Sequence, residues 1–376
     1  MDRAALAAAA ANVSAAFPDP IVRQFSVKAN DVPAVIRDIA SHGFGANVVS
    51  RGEWALARRG GLPNARITLE GVGKTQADLV AAVSAAAAGD PLVWVALESP
   101  EEAADLAALA RRRGVTVDVL YRLNPDVAPE TLAGLAVGSG ASKFGMDEAA
   151  IAEAIESGGG AGPRSPLRPR GIHLHVGSQL GAVDAWRDAV RKGLALTALW
   201  RGSIDSFDTL DLGGGFPVRP EGEPAPDAAR FARELPALLE AIPADRRPTR
   251  LAIEPGRALV ARAGWLLARV LHVRQRGGPQ VVLDAGMTEL IRPALYGAWH
   301  PIVPLTVSGR ALAGDPVSVA PTRVEGPVCE STDSLGTHDL PALSRGDLVA
   351  IADAGAYAAS QATRYNGRPL APTVLI

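Results

Sequence analysis

VRQFSVKANDVPAVIRDIASHGFGANVVSRGEWALARR, running from Val22 to Arg59, carries one two-part unit twice: an apolar run followed by a stretch of helical spacing. The runs are Val22 to Lys28 and Ala46 to Ser50, and the helical stretches are Val32 to Ser41 and Glu53 to Arg59. Working outward, the same spacing predicts further strands at Arg66 to Val72, Leu92 to Leu97, Val117 to Leu123, Gly171 to Val176, Thr209 to Leu212 and Leu251 to Glu254. Helices are predicted over Gln76 to Ala88, Glu101 to Arg113, Ala182 to Leu199 and Ala228 to Ala241, and Ser157 to Arg170, rich in Gly, Pro and Arg, reads as a surface loop. Eight short apolar runs, most of them followed by a helix, predict an α/β fold whose parallel strands close into a (β/α)8 TIM-type barrel.

The texture changes after Arg257. Short β-like runs at Leu266 to Val273, Gln280 to Leu283, Pro301 to Val307 and Leu348 to Ile351 stand with few long helices between them. They predict a barrel domain over residues 1–262 and a C-terminal β-barrel or β-sandwich domain over residues 263–376.

Composition narrows the function classes. The 376 residues are 48% hydrophobic and 21% charged, and 38 Lys+Arg against 40 Asp+Glu leave a formal charge of -2. A nucleic-acid binder would show a basic surplus or stripe. Cys329 is the single cysteine, so there is no disulfide framework and no CxxC metal site, which fits a reducing, cytoplasmic setting. Ala4 to Ala16 reads as a helix and not as a signal segment, since Asn12 and Ser14 interrupt it and Asp2 spoils a basic start. No apolar run approaches a membrane span.

Barrel active sites lie where the strands end. The first strand ends in Lys28, one of only four lysines (with Lys74, Lys143 and Lys192) against thirty-four arginines. A desolvated lysine there is a nucleophilic amine suited to an aldehyde cofactor, and the same position also suits a lysine that snorkels to the rim. The sixth strand ends in HLHVGSQ, where alternation puts His173 and His175 on one face with Leu174 opposite. No third ligand of usual spacing accompanies the two histidines, so no metal is expected; an imidazole face against a flat ring, with Ser178 for an anion, is the better reading. The seventh ends in DLGGGFP, whose Gly213, Gly214 and Gly215 let backbone N–H groups approach a phosphate, although tight turns use such triplets too. The eighth ends in IEPGRAL, placing Glu254 and Arg257 at the same rim, as a ring-nitrogen partner and an anion ligand or as a plain ion pair.

An amine, a stacking face, a phosphate cradle and a carboxylate are what pyridoxal 5'-phosphate requires. The segments FSVKAN, GANVVSRGEW, RLNPDV, SKFGM, HLHVGSQ, DLGGGFP, IEPGRAL, DAGMTELIRPALYGAWH, GPVCESTD, GAY and YNGRP stand in this order along the chain. In them the sequence resembles the pyridoxal-phosphate-dependent decarboxylases of the alanine-racemase-like fold (fold type III), and most of all the diaminopimelate decarboxylase family. The resemblance implies that Lys28 is the Schiff-base lysine, that His175 stacks on the cofactor, and that Ser178, Gly213, Gly214, Gly215 and Tyr357 take its phosphate. It implies Glu254 as partner of the pyridine nitrogen and Arg257, Arg292 and Tyr296 at substrate-binding positions, with Tyr357 near them. Cys329 and Glu330 match the pair that the family inserts into the neighbouring subunit's site, so a homodimer with shared active sites is implied.

The implied reaction is α-decarboxylation of meso-diaminopimelate to L-lysine, with Cys329 or Lys28 returning the proton and Lys28, Cys329, His175 and Glu254 as the catalytic set. The alternative is a decarboxylase of ornithine, lysine or another diamino acid. Ornithine-type members usually have Asp at position 330, and diaminopimelate alone of these substrates has a distal carboxylate for Arg292 and Tyr296. A racemase would place an arginine at the pyridine nitrogen, and an inactive binding homologue would be expected to lose Lys28 or Cys329. Four departures from the family pattern stand out: Asn47 where Asp is usual, an altered stretch from Asn124 to Met146, Phe25 for the usual Tyr, and a start without the N-terminal strand that normally joins the β domain.

Overall fold

The apolar runs fold into eight parallel strands that hydrogen-bond in sequence order and close on themselves: β1 (Val22–Ser26), β2 (Gly45–Val48), β3 (Ile67–Leu69), β4 (Val95–Leu97), β5 (Val117–Leu123), β6 (Leu167–Leu174), β7 (Thr209–Asp211) and β8 (Arg250–Ile253). The register Val22 to Ala252 and Arg23 to Ile253 seals the barrel between first and last strands. The computed structural model describes all residues except 129, 131–137, 139–141, 220–224, 313 and 315–317. About half of the altered stretch from Asn124 to Met146 therefore lies outside the described residues.

Helix α1 (Arg3–Ala16) precedes the barrel, and α2 (Pro33–Ser41), α3 (Arg51–Arg59), α4 (Gln76–Ala87), α5 (Pro100–Arg113), α6 (Glu148–Ser157) and α7 (Asp184–Arg201) return the chain between strands. Their ends are set by local chemistry. Ser50 and Ser99 accept the N–H of the residue three further on, Thr75 and Asp78 form a reciprocal box, and Pro100 opens α5 where no N–H is needed. At the other end of α5, Gly114 takes φ +64 after three arginines, which satisfies the last carbonyls and suits the helix dipole.

Two expectations are corrected. The helix expected over Ala228 to Ala241 is two short ones, α8 (Ala228–Ala232) and α9 (Leu235–Glu240), because Pro236 has no N–H and its ring crowds the preceding turn. The loop expected over Ser157 to Arg170 is shorter, since β6 already begins at Leu167. Pro169 is tolerated next to a register shift in the β5–β6 pairing, between Val119 and Leu120.

Contacts divide the chain into two units. One is the barrel, Ala7–Pro217 with Pro224–Ala258. The other comprises Leu259–Ile376, Met1–Leu6 and Val218–Glu223, of which only Val218 and Arg219 are described in the last segment. The short helix α10 (Arg257–Val260) stands where the first gives way to the second.

The second unit contains β9 (Leu266–Gln275), β10 (Pro279–Leu283), α11 (Arg292–Tyr296), β11 (Ile302–Pro304), β12 (Thr306–Val307), β13 (Arg310–Ala311), β14 (Ala320–Glu325), β15 (Ser334–Leu340) and β16 (Leu348–Ile351). Six strands make one sheet in the order β11-β16-β9-β10-β14-β15, and β12 and β13 pair separately. Its core is Val270, Val281, Leu283, Val324, Leu335, Leu340 and Ile351 with their neighbours. In this unit the Met1 amino group donates to Val374 O, Arg3 N–H to Ile376 O and Ile376 N–H to Met1 O, so the first and last residues are tied together. Among the described residues no helix is long and apolar enough to cross a membrane.

Candidate active site

Lys28 stands just past β1, not within it. The ladder ends at Ser26, whose N–H turns to the carbonyl of Pro255 at 3.1 Å, and a tight turn over Val27–Ala29 closes through Asn30 N–H to Val27 O at 2.9 Å. Lys28 is half-buried, and its charge acts on His175 and Glu53. The other lysines are committed elsewhere. Lys74, its side chain fully buried, meets Glu102 at 3.0 Å and Gly71 O at 2.5 Å; Lys192 donates to Pro125 O at 2.6 Å; Lys143 lies 5.2 Å over the Phe144 ring.

Strand alternation works out at β6 as the pleat requires. Leu174 turns outward towards Gly193 of α7, while His173 points into the barrel between Glu70 and Glu254. His175 Nδ1 accepts the N–H of Gly214 at 3.3 Å, which leaves the proton on Nε2 of a neutral ring. Enclosure first, and then the charges of Lys28 and Arg122, hold its pKa well below 6.5. An uncharged imidazole in this place presents a flat face.

The glycine triplet is required sterically. A Cβ at Gly213 would lie 2.1 Å from Leu174 O, at Gly214 2.3 Å from Glu254 O, and at Gly215 2.4 Å from Gly177 O; Gly213 and Gly215 also take φ +68 and +98. Gly213 N–H donates to Asp211 Oδ1 at 3.0 Å, so it serves the barrel as well as lining the rim. Beside the triplet, Arg257 donates through Nη2 to Ser178 Oγ at 3.2 Å. The N–H groups of Gly213 and Gly214 thus serve Asp211 and His175, and the hydroxyl of Ser178 and the guanidinium of Arg257 beside these small residues give a rim suited to an anion. Among the described residues the alternative ion pair between Arg257 and Glu254 does not form: Arg257 has Ser178 as a partner, and Glu254 faces other groups.

Those groups form a buried polar floor that sequence reasoning missed in part. Asn47 donates through Nδ2 to Glu254 Oε1 at 2.5 Å and to Glu70 Oε2 at 2.6 Å, and His173 Nε2 lies 3.3 Å from both oxygens. Glu70 and Asp211 were not among the candidate residues. The acid absent from position 47 is nevertheless present one strand away, as Glu70. Burial, then the neighbouring Glu254, push the Glu70 pKa up from 4.5 to about 8, so the floor holds a proton more tightly than a free carboxyl does. Burial and the same neighbouring carboxyls raise Asp211 well above its usual range. Burial takes His173 down to about 4, which makes its contacts with the two glutamates contacts of a neutral ring and not salt bridges. The Glu70, His173 and Glu254 ligand atoms lie within 4.8 Å of one another, a metal-like set. The Asn47 N–H groups already serve two of its oxygens, so the site presents a donor where a cation would have to stand.

Behind the floor, Arg122 and Glu98 meet at 2.5 Å with both side chains buried, and Glu98 also accepts Gly145 N–H at 2.8 Å. This ties the SKFGM segment to β4 and β5. Asn124 reinforces it through Phe144 O at 3.0 Å.

The remaining candidates belong to the second unit. Arg292 opens α11 and is buried, with Nη1 3.3 Å from His300 Nε2; His300 Nδ1 in turn donates to Ala352 O at 3.1 Å, which leaves Nε2 as the acceptor. His300 was missed as its positioning partner. Tyr296, at the other end of the same short helix, is half-buried. Cys329 and Glu330 are exposed, and Glu330 accepts the phenolic O–H of Tyr365. Tyr357 is held at φ +60, a conformation that costs a non-glycine residue about 1 kcal/mol or more and persists where surrounding structure fixes it.

Known proteins bear on this arrangement. Residues 3–261 match the family model described as pyridoxal-dependent decarboxylase, pyridoxal binding domain. The diaminopimelate decarboxylase of Aquifex aeolicus is 36% identical across 96% of this chain and 82% of its own length, and that of Neisseria meningitidis serogroup A is 36% identical across 94% and 82%. The crystal structure of diaminopimelate decarboxylase from Helicobacter pylori, complexed with L-lysine, superposes with a TM-score of 0.87 at 30% identity, covering 98% of this chain and 88% of that one. The cofactor is pyridoxal phosphate, and this chain's groups fit it: the rim glycines cannot bear side chains, a neutral imidazole lies beside them, and a buried glutamate lies below. The barrel with its second, mostly β unit, the match over residues 3–261 and the relatives at this identity place the chain in the pyridoxal-dependent decarboxylases, within the diaminopimelate decarboxylase family of carboxy-lyases.

Proposed function

We propose that this chain decarboxylates meso-diaminopimelate to L-lysine as a cytoplasmic homodimer, each active site made from the barrel of one copy and the β unit of the other. Pyridoxal phosphate, when bound, supplies an aldehyde that bonds an amino group and a ring that takes up the electrons of the breaking Cα to carboxylate bond. Lys28 is the amine that would hold it, and the neutral ring of His175 would lie flat against it. Ser178, Gly213, Gly214, Gly215 and Tyr357 would receive the phosphate, with Arg257 on the phosphate or a substrate carboxylate. Glu254 would bond the ring nitrogen and keep it protonated, a charge-assisted contact worth about 1.5–3 kcal/mol.

From the second copy, Cys329 would return a proton to the substrate carbon, with Lys28 as the alternative donor. Arg292 and Tyr296 would hold the distal carboxylate and Glu330 the distal amine. Residues 1–262 then act as the cofactor-binding domain and 263–376 as the dimer-forming one.

The observation that carries the reaction class is Glu254: a buried carboxyl, not a guanidinium, stands below the rim, which favours loss of carbon dioxide over racemisation. For the substrate, the support is Arg292, whose planar fork is already oriented by His300 for a carboxylate. The test is carbon dioxide release from a panel of diaminopimelate stereoisomers, ornithine and lysine, with chiral analysis of the product. The meso isomer is expected to give the highest kcat/KM. A higher value for another amino acid would overturn the substrate, and racemisation without carbon dioxide would overturn the reaction.

A further inference from the structure

Asn47 donates to two carboxyl groups that stand at the ends of different strands. Its Nδ2 lies 2.6 Å from Glu70 Oε2 and 2.5 Å from Glu254 Oε1, and all three side chains are at most 3% exposed. Two carboxylates that share a dry site cannot both ionise cheaply, and a third acid at position 47 would lose both N–H bonds and add repulsion from two sides. The identities at 47 and 70 therefore constrain each other.

We propose that Asn47 and Glu70 form a reciprocal positioning pair, in which the amide fixes Glu254 while Glu70 keeps one proton in the floor, so that Glu254 and Glu70 together present a single negative charge towards the ring nitrogen. This rests on the reading of Glu254 given above. Neither residue of the pair touches the reacting atoms; both act through Glu254. The titratable groups that face Glu70 are Glu254 at the end of β8, Asp211 of β7 and His173 of β6, and each belongs to the same floor. Of these, His173 alone works against the rise of the Glu70 pKa, and burial and Glu254 outweigh it.

The decisive experiment exchanges the two groups. Asn47→Asp puts three acids in contact, and the affinity of the apoprotein for pyridoxal phosphate, measured by absorbance titration at pH 7.5, should fall at least tenfold. Asn47→Asp with Glu70→Gln restores one amide and two acids with their places swapped, and should bring the affinity back to within threefold of the parent. If the double variant binds no better than Asn47→Asp, or as weakly as the product of the two single effects, the pair is not reciprocal.

Should Asn47→Asp fail to fold, Glu70→Gln alone decides through the melting temperature of the apoprotein. A carboxyl whose folded pKa is raised to about 8 from 4.5 makes the folded state bind a proton that the unfolded chain has released, so stability falls as pH rises across that window. Glu70→Gln should flatten this fall between pH 6 and 8; parallel curves for parent and variant would overturn the proposal. Because the melts need no cofactor, they remain decisive even if borohydride labelling shows that Lys28 does not hold one, which would sink the reading of the site and not the pairing.

Discussion

Replacing Glu98 by Gln should destabilise the barrel by about 3–5 kcal/mol, the cost of leaving one member of a buried ion pair without its partner. Arg122 Nη1 and Glu98 Oε1 are 2.5 Å apart with side chains 8% and 6% exposed, and the second Glu98 oxygen takes Gly145 N–H at 2.8 Å. Glutamine keeps the size but offers one acceptor and one donor where two acceptors stood, so Arg122 loses its counter-charge and either Arg122 or the Gly145 N–H loses its acceptor. For a domain of this size each kcal/mol moves the melting midpoint by about 2–4 °C, which gives an apparent shift of roughly 6–20 °C at pH 7.5 in matched thermal scans. The pH dependence has a definite sign. Burial pushes the Glu98 pKa up from 4.5, but the charge and hydrogen bond of Arg122 and the N–H of Gly145 outweigh it, and the net direction is down. A lowered folded pKa gives stability that is complete above the unfolded value and is lost as pH falls through the folded one. The gap between parent and Glu98→Gln should therefore be full at pH 7.5 and shrink on acidification below about 4.5. A gap under about 1 kcal/mol at pH 7.5, or one that widens in acid, would refute the account of this pair.

Four further outcomes are expected. Borohydride reduction of the holoenzyme followed by peptide mapping should label Lys28; a label on Lys74, Lys143 or Lys192 would sink the assignment. Glu254→Ala should weaken cofactor binding but reduce decarboxylation much further, and turnover equal to the parent would dismiss the electron-sink role. Mixing inactive Lys28→Ala with inactive Cys329→Ala should restore activity, because one site of a hybrid dimer has both residues; no recovery after verified subunit exchange counts against shared sites. Arg292→Ala should act mainly on KM, and His300→Ala should shift KM in the same direction by less, whereas an effect confined to kcat would argue for another role.

The barrel was legible because its strands are buried on both faces and read as short apolar runs, as at Val117–Leu123, which begins and ends where the sequence pattern does. Strand β6 was only half legible, since LRPR at its start has the composition of a loop while pairing as a strand, with a register shift in place of a clean ladder. In the second unit β14 and β15 escaped notice for a different reason. Both alternate polar outward positions with few inward ones, Thr322 and Val324 in one, Leu335, His338 and Leu340 in the other. Gly336 at φ +93 adds a bulge that breaks the alternation. The run expected over Pro301 to Val307 divides after Leu305: its N–H still reaches Leu348 O of β16, the partner strand of β11, whereas Thr306 and Val307 pair with β13 in a separate sheet.

Candidate site residues were legible where position along one strand sufficed and illegible where register between strands decided. Lys28, His175, the glycine triplet and Glu254 follow from asking what stands at strand ends. Glu70 also stands at a strand end, but its meaning depends on a pairing that no local pattern contains. Asn47 lies opposite Thr68 in the parallel ladder, so alternation puts Asn47, Thr68 and Glu70 on the inner face together. On the far side His173 lies opposite Asp211, and Asp211 opposite Ala252, two residues before Glu254. Shifting any of these registers by one residue would turn a floor member out of the barrel. A neutral Asn47 therefore reads as a missing charge in the sequence and as the shared donor of two acids in the fold.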